Sequence, residues 1–499
     1  MRRLLVLLVL GAAAPAGAEP RFAPVSGPVA DHVYTGGWEH FVGGGVSVLD
    51  CNADARPDLV LAGGENPARL MVNGGDMAFA PRALPGPDGA LTGVTGAYPV
   101  DLDADGTLDL FVMRAGPNVA LRGRGDCRFE VATGALGLPD GGTAWTTAFT
   151  AWWAPGAARP TLAVGNYVDR ADPDGPFGTC DANAILTPTP GGWRARDLTP
   201  GHCPLSMLAA HDARGRMTLR LSNDRHYYIR DGAEQLWDIA EQRFLGPEDG
   251  YDPPMLWGMG IAARDLNGDG RDEVMLTSMG DQNLRLAREG GYVTAPYAMG
   301  TTAHRPHTGE DGRPSTGWHA QFGDVDNDGR ADLFIAKGNV DQMPGMAMQD
   351  PNSLLMQSPD GTFEEASVAA GVASPSRSRG AALADLDGDG RLDLVVVNRR
   401  AAAELYRNVT PETGNWLAVR LRQPGGNARA VGARVRVAGA DWSEEQEVSI
   451  GGGHAGDVAG PLHFGLGDVA AVEITVTWPD GTVTRDAPEG VNRRVTLRR

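Results

Sequence analysis

The sequence predicts an all-β chain, a seven-bladed β-propeller followed by a small C-terminal β-sandwich. Three observations predict it. Five acidic loops of the form DxDxDGxxD each run straight into a short apolar strand, their spacing becomes nearly even once two degenerate copies are counted, and beyond Asn408 the loops stop and plain strand alternation begins. With 69 Gly and 35 Pro among 499 residues and few long helical patterns, the composition is one of strands and turns.

The loops begin at Asp50, Asp101, Asp265, Asp324 and Asp385. A hard cation such as Ca²⁺ takes about 6 to 8 oxygens in flexible geometry, and side chains at the first, third, fifth and ninth loop positions with the seventh carbonyl can supply them. The candidate ligands are Asp50, Asn52, Asp54 and Asp58; Asp101, Asp103, Asp105 and Asp109; Asp265, Asn267, Asp269 and Glu273; Asp324, Asp326, Asp328 and Asp332; and Asp385, Asp387, Asp389 and Asp393. Glycine at the sixth position (Gly106, Gly270, Gly329, Gly390) permits the left-handed turn that folds the loop over an ion, and Ala55 in the first copy predicts a weaker site there. An EF-hand would need a later bidentate Glu and flanking helices, whereas here a buried-strand run such as Leu394 to Val397 follows. One such acidic turn is often merely solvated, but five in register are not. The expected cofactor is Ca²⁺, up to five ions, mainly structural.

Adjacent loop starts lie 51, 59 and 61 residues apart, with one gap of 164. Aligning the strand-opening leucines Leu162 and Leu219 places degenerate copies in that gap, starting at Trp153 without ligand carboxylates and at Ala210 with only Asp212 retained. Seven units result, each reading as four short strands, the blade pattern that hides sheet edges by radial closure. Small residues ahead of the loops, such as Gly258, Gly260, Gly380 and Ala381, suit inner strands crowded around an axis. A solenoid is the competing architecture, but its periods are shorter.

From Trp416 the segments LAVRLRQ, ARVRVAG, EQEVSI and VEITVTW alternate as strands of a small antiparallel sandwich, in which His454 and His463 read as structural parts of turns. The division is a signal segment over 1–18, the propeller over 19–407 and the sandwich over 408–499. Arg2 and Arg3, the apolar run Leu4 to Leu10 and Ala16-Gly17-Ala18 form a secretory signal cut after Ala18. The mature chain is therefore expected in the periplasm or outside the cell, as a monomer with no membrane span. The net charge of -19 argues against nucleic acid as a partner, and five Ca²⁺ would offset about ten of those charges. Four cysteines allow three connectivities; Cys180 and Cys203 bracket a Pro/Gly-rich insertion, which favours their pairing and leaves Cys51 with Cys127.

These residues carry a family resemblance. FGDVDNDG from Phe322 resembles the FG-GAP and VCBS repeats of integrin α-chain propellers, and the other loops are similar. The tail is similar to the ASPIC/UnbV domain in NWLAVRL from Asn415, AVGARVRV from Ala430, GGGHAGD from Gly451, HFGLG from His463 and TWPDGTV from Thr477. With GNYVDR from Gly165, SNDRHYY from Ser222 and SMGDQ from Ser278, the mature chain resembles the cartilage acidic protein-like family in its bacterial form. The resemblance implies a seven-bladed propeller with calcium sites and a secreted role in binding or adhesion. It supplies no catalytic mechanism.

No nucleophile elbow, HExxH or phosphate loop appears. Polar residues distant in sequence can still meet where propeller loops gather around an axial mouth, and Arg225, His226, His304, His307 and His319 are the candidate ligand-binding group. The function expected is a binding or adhesion module for a protein or glycan partner. The alternative is an enzyme acting on an extracellular polymer or metabolite in the axial pocket, which requires that group to converge in one cleft. Arg124-Gly125-Asp126 reads as a chance tripeptide, and Asn408-Val409-Thr410 as a formal glycosylation acceptor.

Overall fold

Each repeat folds as one antiparallel four-stranded sheet, because every post-loop run is apolar on both faces and short enough for a buried strand. The computed structural model describes residues 18–172, 179–224 and 232–499, so all of the signal segment except Ala18 lies outside the described residues. Sheet 1 comprises Val46–Leu49, Asp58–Leu61, Arg69–Asn73 and Phe79–Ala83, in sequence order. Sheets 2 to 6 repeat that order, with first strands Val94–Val100, Thr146–Trp152, Pro204–His211, Gly258–Arg264 and Gly317–Gly323. Sheets 3 and 4 are the two degenerate units, the first without ligand carboxylates and the second with only Asp212, which pairs with Arg216.

Sheet 7 takes Ser378–Ala384, Asp393–Asn398 and Glu404–Asn408 from the end of the repeat region, and its fourth strand, Phe22–Pro24, from the beginning. Phe22 pairs with Asn408 and Pro24 with Tyr406. The first strands touch their neighbours in chain order, and that of sheet 7 touches that of sheet 1, so the ring is closed. In sheets 2 to 7 the first strand carries a register shift near its start, as between Val94 and Gly96 or Gly258 and Ile261, the kind of irregularity that bends and twists a strand.

The last propeller strand ends at Asn408 and the tail begins at Asn415. Leu462–Gly467, Asn415–Arg422 and Arg493–Arg498 form one tail sheet, and Ser443–Glu447, Arg434–Ala438, Glu473–Thr477 and Val483–Asp486 the other. The tail is not wholly antiparallel, since Asn415–Arg422 and Arg493–Arg498 run parallel. Leu417, Val419, Val435, Phe464, Ile474 and Trp478 fill its core. Among the described residues no helix is long and apolar enough to cross a membrane.

The segment between Glu447 and Leu462 leaves the sandwich and enters the propeller axis. His454 therefore lies inside the channel, not in a sandwich turn. The segment makes isolated bridges to inner strands, Val458 to Val48, Gly451 to Leu208 and Gly453 to Ile261. The Val48 amide donates to Asp457 O at 2.9 Å, the Gly452 amide to Met207 O at 2.7 Å and the Gly453 amide to Ile261 O at 2.6 Å. Thr150 Oγ1 donates to Ile450 O, and the His454 amide donates to His319 Nδ1 at 3.0 Å. The inner-strand glycines are thus explained by more than mutual crowding. A Cβ on Gly45 would come within 1.8 Å of Ala455 O and one on Gly96 within 2.1 Å of the same atom.

Candidate metal centres and the axial channel

The acidic loops join the first and second strands of their sheets, so they all project from one face of the ring. Their ninth residue, the first of the second strand, has the same role in all five. One oxygen accepts the amide of the loop's second residue and the other an amide of the third strand: Leu102 and Gly123 on Asp109 at 2.8 Å each, Val325 and Gln357 on Asp332 at 3.0 Å each, Leu386 and Asn408 on Asp393 at 2.9 Å each. Asp58 and Glu273 do likewise with Cys51 and Asn73, and with Leu266 and Ala287. This carboxylate ties loop to sheet whether or not it also holds an ion. In sheets 1, 2, 5 and 6 the first residue accepts the sixth-position amide, as from Gly106 to Asp101 at 2.9 Å and from Gly329 to Asp324 at 2.7 Å, while Asp385 in sheet 7 accepts from Gly388.

Three loops bring their carboxylates together. One ligand oxygen from each of Asp101, Asp103 and Asp109 in sheet 2, of Asp324, Asp326 and Asp332 in sheet 6, and of Asp385, Asp387 and Asp393 in sheet 7 lies within 4.8 Å of the other two. Burial is the main cause that lifts Asp101 to about 6 and Asp109 to about 7, and raises Asp324, Asp332 and Asp393 well above the usual carboxylate range. Clustered buried carboxylates of this kind are costly unless a cation or protons neutralise them, and a hard divalent cation fits an all-oxygen donor set. Asp105, Asp328 and Asp389 each accept the seventh-position amide and sit on the rims, where Arg330 pairs with Asp328 and Arg391 with Asp389.

The other two loops differ. In sheet 5, Asp265 accepts the Gly268, Asp269 and Gly270 amides, and the Asn267 amide nitrogen points at Glu273 Oε1 at 3.3 Å; rotating that amide would present its oxygen instead. In sheet 1, Arg420 of the tail reaches Asp50 at 3.3 Å, Arg56 pairs with Asp54, and Asn52 donates to Asp54. Cys51 is bonded to Cys127, and its Sγ lies 2.9 Å from Asp58 Oδ2. The loop without glycine is therefore braced by a disulfide to sheet 2. Cys180 is bonded to Cys203.

Third-strand amides link neighbouring loops. Asn73 Nδ2 donates to Leu386 O at 2.8 Å, Asn408 Nδ2 to Val325 O at 2.7 Å and Gln357 Nε2 to Leu266 O at 3.3 Å, so each reaches the second loop residue of the preceding sheet. Asn408 is fully buried in this role, which closes its side chain to glycosylation. The three donors are the side-chain amides of Asn73, Asn408 and Gln357, each the residue of the third strand whose backbone amide also bonds the ninth-position carboxylate.

The tail sandwich covers the loop face, which sequence reasoning did not place. Arg494 pairs with Asp385 at 2.7 Å and donates to Ala55 O, Arg264 pairs with Glu444 at 3.2 Å, and His211 contacts Glu447 at 3.0 Å. A cavity of about 290 Å³ remains between the sandwich, the axial segment and the inner strands, with Arg420, Arg422, Arg429 and Asp457 among its lining residues.

The described members of the candidate ligand-binding group each have partners of their own. His304 contacts Asp281, His307 contacts Ser367 and Glu365, and His319 is buried on the axis against His454. Arg225 and His226 lie outside the described residues. Burial is the main cause that holds His319 at about 4 and His454 at about 3, so both are neutral. On the face opposite the sandwich, Phe41, Trp145, Tyr167, Cys203 and Trp318 cluster at the starts of inner strands and their neighbours and close the channel. The Arg379 guanidinium lies 4.0 Å above the Trp318 ring, and Trp38, 45% exposed, packs on Trp145.

Comparison with known families follows this architecture. The FG-GAP-like repeat family matches residues 50–112, 265–335 and 324–396, and the ASPIC and UnbV family matches 423–499. The chain thus belongs with FG-GAP-repeat β-propellers and carries an ASPIC/UnbV domain after the repeats. It is similar to cartilage acidic protein 1 from Homo sapiens, 26% identical over 249 residues covering 48% of this chain and 36% of that one, and from Mus musculus, 28% identical over 238 residues covering 46% and 35%. These relatives bear out the resemblance to the cartilage acidic protein-like family, although the chain spans little more than a third of their length. Among solved structures, BBS1N in complex with ARL6DN aligns with a TM-score of 0.47 at 12% identity, over 79% of this chain and 98% of that one. An Agrocybe aegerita protein that recognises non-reducing terminal N-acetylglucosamine aligns at 0.36 and 13%, over 65% and 81%.

Proposed function

We propose that this is an exported, calcium-stabilised propeller that binds a protein or glycan partner, with Ca²⁺ held by the acidic loops in a structural role. The observation that carries this reading is how the two ends of the axis are used. One end is covered by the sandwich and residues 450–459 enter the interior and bond to the inner strands, so the axis serves chiefly the fold itself, with the cavity of about 290 Å³ left beside that segment. No catalytic constellation forms among the described members of the histidine group, which favours binding over the enzymatic alternative. Two disulfides suit an oxidising compartment, in keeping with the signal segment.

The test is capture of partners from the native envelope by the full chain, in calcium and in chelator. A partner retained in calcium and lost in chelator supports the reading. An identical catch in both conditions, with an unchanged melting temperature, refutes calcium's part in it.

A further inference from the structure

We infer that the sheet 6 loop is an occluded interdomain calcium site whose lid is the C-terminal sandwich, so that the ion and the sandwich hold each other in place. This rests on the calcium reading above and goes beyond it in distinguishing one loop from the rest.

Asp324 and Asp326 are buried residues, 3% and 1% exposed, whereas Asp103 in sheet 2 and Asp385 and Asp387 in sheet 7 keep partial access to solvent; the ninth residue is buried in all three loops. Apart from Gly390 O of the sheet 7 loop, which accepts from Asn327 Nδ2 at 3.0 Å, the contacts over the sheet 6 loop come from the tail and the segment leading to it. The Gly414 amide donates to Asp326 O at 2.9 Å and the Gly467 amide to Asn327 O at 2.8 Å. Trp442 Nε1 donates to Gly329 O at 2.8 Å, and His463 Nε2 meets Asn327 Oδ1 at 2.7 Å. Gly465 lies so close that a Cβ there would be 1.8 Å from Asp324 Oδ2.

The charge balance differs as well. In sheets 2 and 7, gathered carboxylates have basic partners, Arg122 on Asp103 and Arg494 and Arg407 on Asp385 and Asp387. In sheet 6 the basic partner, Arg330, is on the rim residue Asp328, and Asp324, Asp326 and Asp332 form no ion pair among the described residues. Asp332 is buried by its own sheet, as the ninth residue is in every loop, so docking the sandwich covers Asp324 and Asp326 without supplying a counter-charge, a step a divalent ion makes favourable. Linkage then runs both ways: the ion favours docking, and the docked sandwich blocks the ion's exit.

The experiment loads the full chain with Ca²⁺, adds excess chelator and follows ion release, with hydrogen exchange read in parallel. The expected result is a fast phase and one ion leaving at least about tenfold more slowly, because its release awaits local opening. Gly465→Ala, which sets a methyl group on Asp324, removes the slow phase; Trp442→Phe, which deletes a single N–H donor, shortens it. In chelator the Gly414 and Gly467 amides lose protection while amides of the sandwich strand Arg434–Ala438 keep theirs, and Asp326→Asn gives that pattern even in calcium. Release in one fast phase, or a slow phase untouched in both variants, overturns the inference and leaves the calcium reading standing. A chain that retains no calcium overturns both.

Discussion

Gly45→Ala tests whether the axial segment is part of the fold. Gly45 has no positive φ, so the backbone conformation itself tolerates alanine, but the new Cβ would lie 1.8 Å from Ala455 O, where ordinary contact begins at 3.4 Å. Backbone must move by more than an ångström, and the segment has little room because it is bonded on several sides. Two of its backbone bonds to sheet 1, Val48 N to Asp457 O and Ala459 N to Val48 O, would be lost at about 1 kcal/mol each. Overpacking adds roughly 1–3 kcal/mol, against a gain of at most about 1 kcal/mol from a stiffer unfolded chain. The net expectation is a loss of about 2–5 kcal/mol. Denaturant unfolding measures it, with Gly134→Ala as control, since a Cβ there meets nothing within 4 Å. A second readout is the His454 ring, whose pKa should rise towards 6.5 as the segment is displaced. A Gly45→Ala protein with the wild-type midpoint and an unchanged His454 titration would refute the reasoning.

Buried His319, His454 and His463 are held neutral by the fold but take protons near 6.5 when unfolded. The unfolded chain then binds more protons, so stability is full above that value and falls as pH drops towards 4, by about 1.4 kcal/mol per pH unit for each histidine; His454→Gln should flatten the profile measured by denaturation. The loop carboxylates have the opposite sign. Without calcium, Asp109 and Glu273, each raised from its usual value to about 7, stabilise the fold only while protonated, and that contribution is lost as pH rises towards 7. The melting-temperature gain on adding calcium should therefore grow between pH 5 and pH 8, and a gain that shrinks would contradict the assignment. Replacing Cys51 and Cys127 by serine opens a link between residues 76 apart in sequence and should cost about 4 kcal/mol in denaturant unfolding under non-reducing conditions.

The repeats were legible because their signal is local. Aspartates, glycine and the apolar run sit within one loop and strand, and the strand-opening Leu162 and Leu219 survive even where the carboxylates do not, which is why sheets 3 and 4 could be found by spacing. The tail strands were legible for the same reason. What escaped was long-range placement. GGGHAGD is recognisable as a block, yet nothing within it says that Gly453 and Ala455 will meet Ile261 and Gly45, because that depends on both partners lacking side chains at the contact. Small residues on both sides, Gly45, Gly96 and Gly260 in the inner strands and Gly451 to Gly453 in the tail, were the available signal. The loop face was hidden in a similar way, since Arg420 and Arg494 read as ordinary strand residues until the fold sets them against Asp50 and Asp385.

The placement of the sandwich bears on where a partner would bind. The loop face is occupied by the tail, and the axial segment reaches from that face to His454, whose ring lies 5.2 Å from that of Trp318. Inner strands are therefore clamped from within by a segment that belongs to the C-terminal domain, and loosening that domain would loosen the ring itself. The opposite face carries no such cover among the described residues. There the aromatic cluster closes the channel, Trp38 stands half-exposed above Trp145, and the Cys180–Cys203 bridge braces the neighbouring chain. Exposed aromatic surface on a rigid frame suits recognition, because little side-chain entropy is lost on contact. On our reading the partner meets this face, and calcium acts from the far side by keeping the frame rigid. Trp38→Ala should accordingly weaken partner capture while leaving the calcium-dependent melting gain unchanged, whereas Asp326→Asn should diminish that gain. Equal effects of the two variants on both measurements would place the partner on the loop face instead.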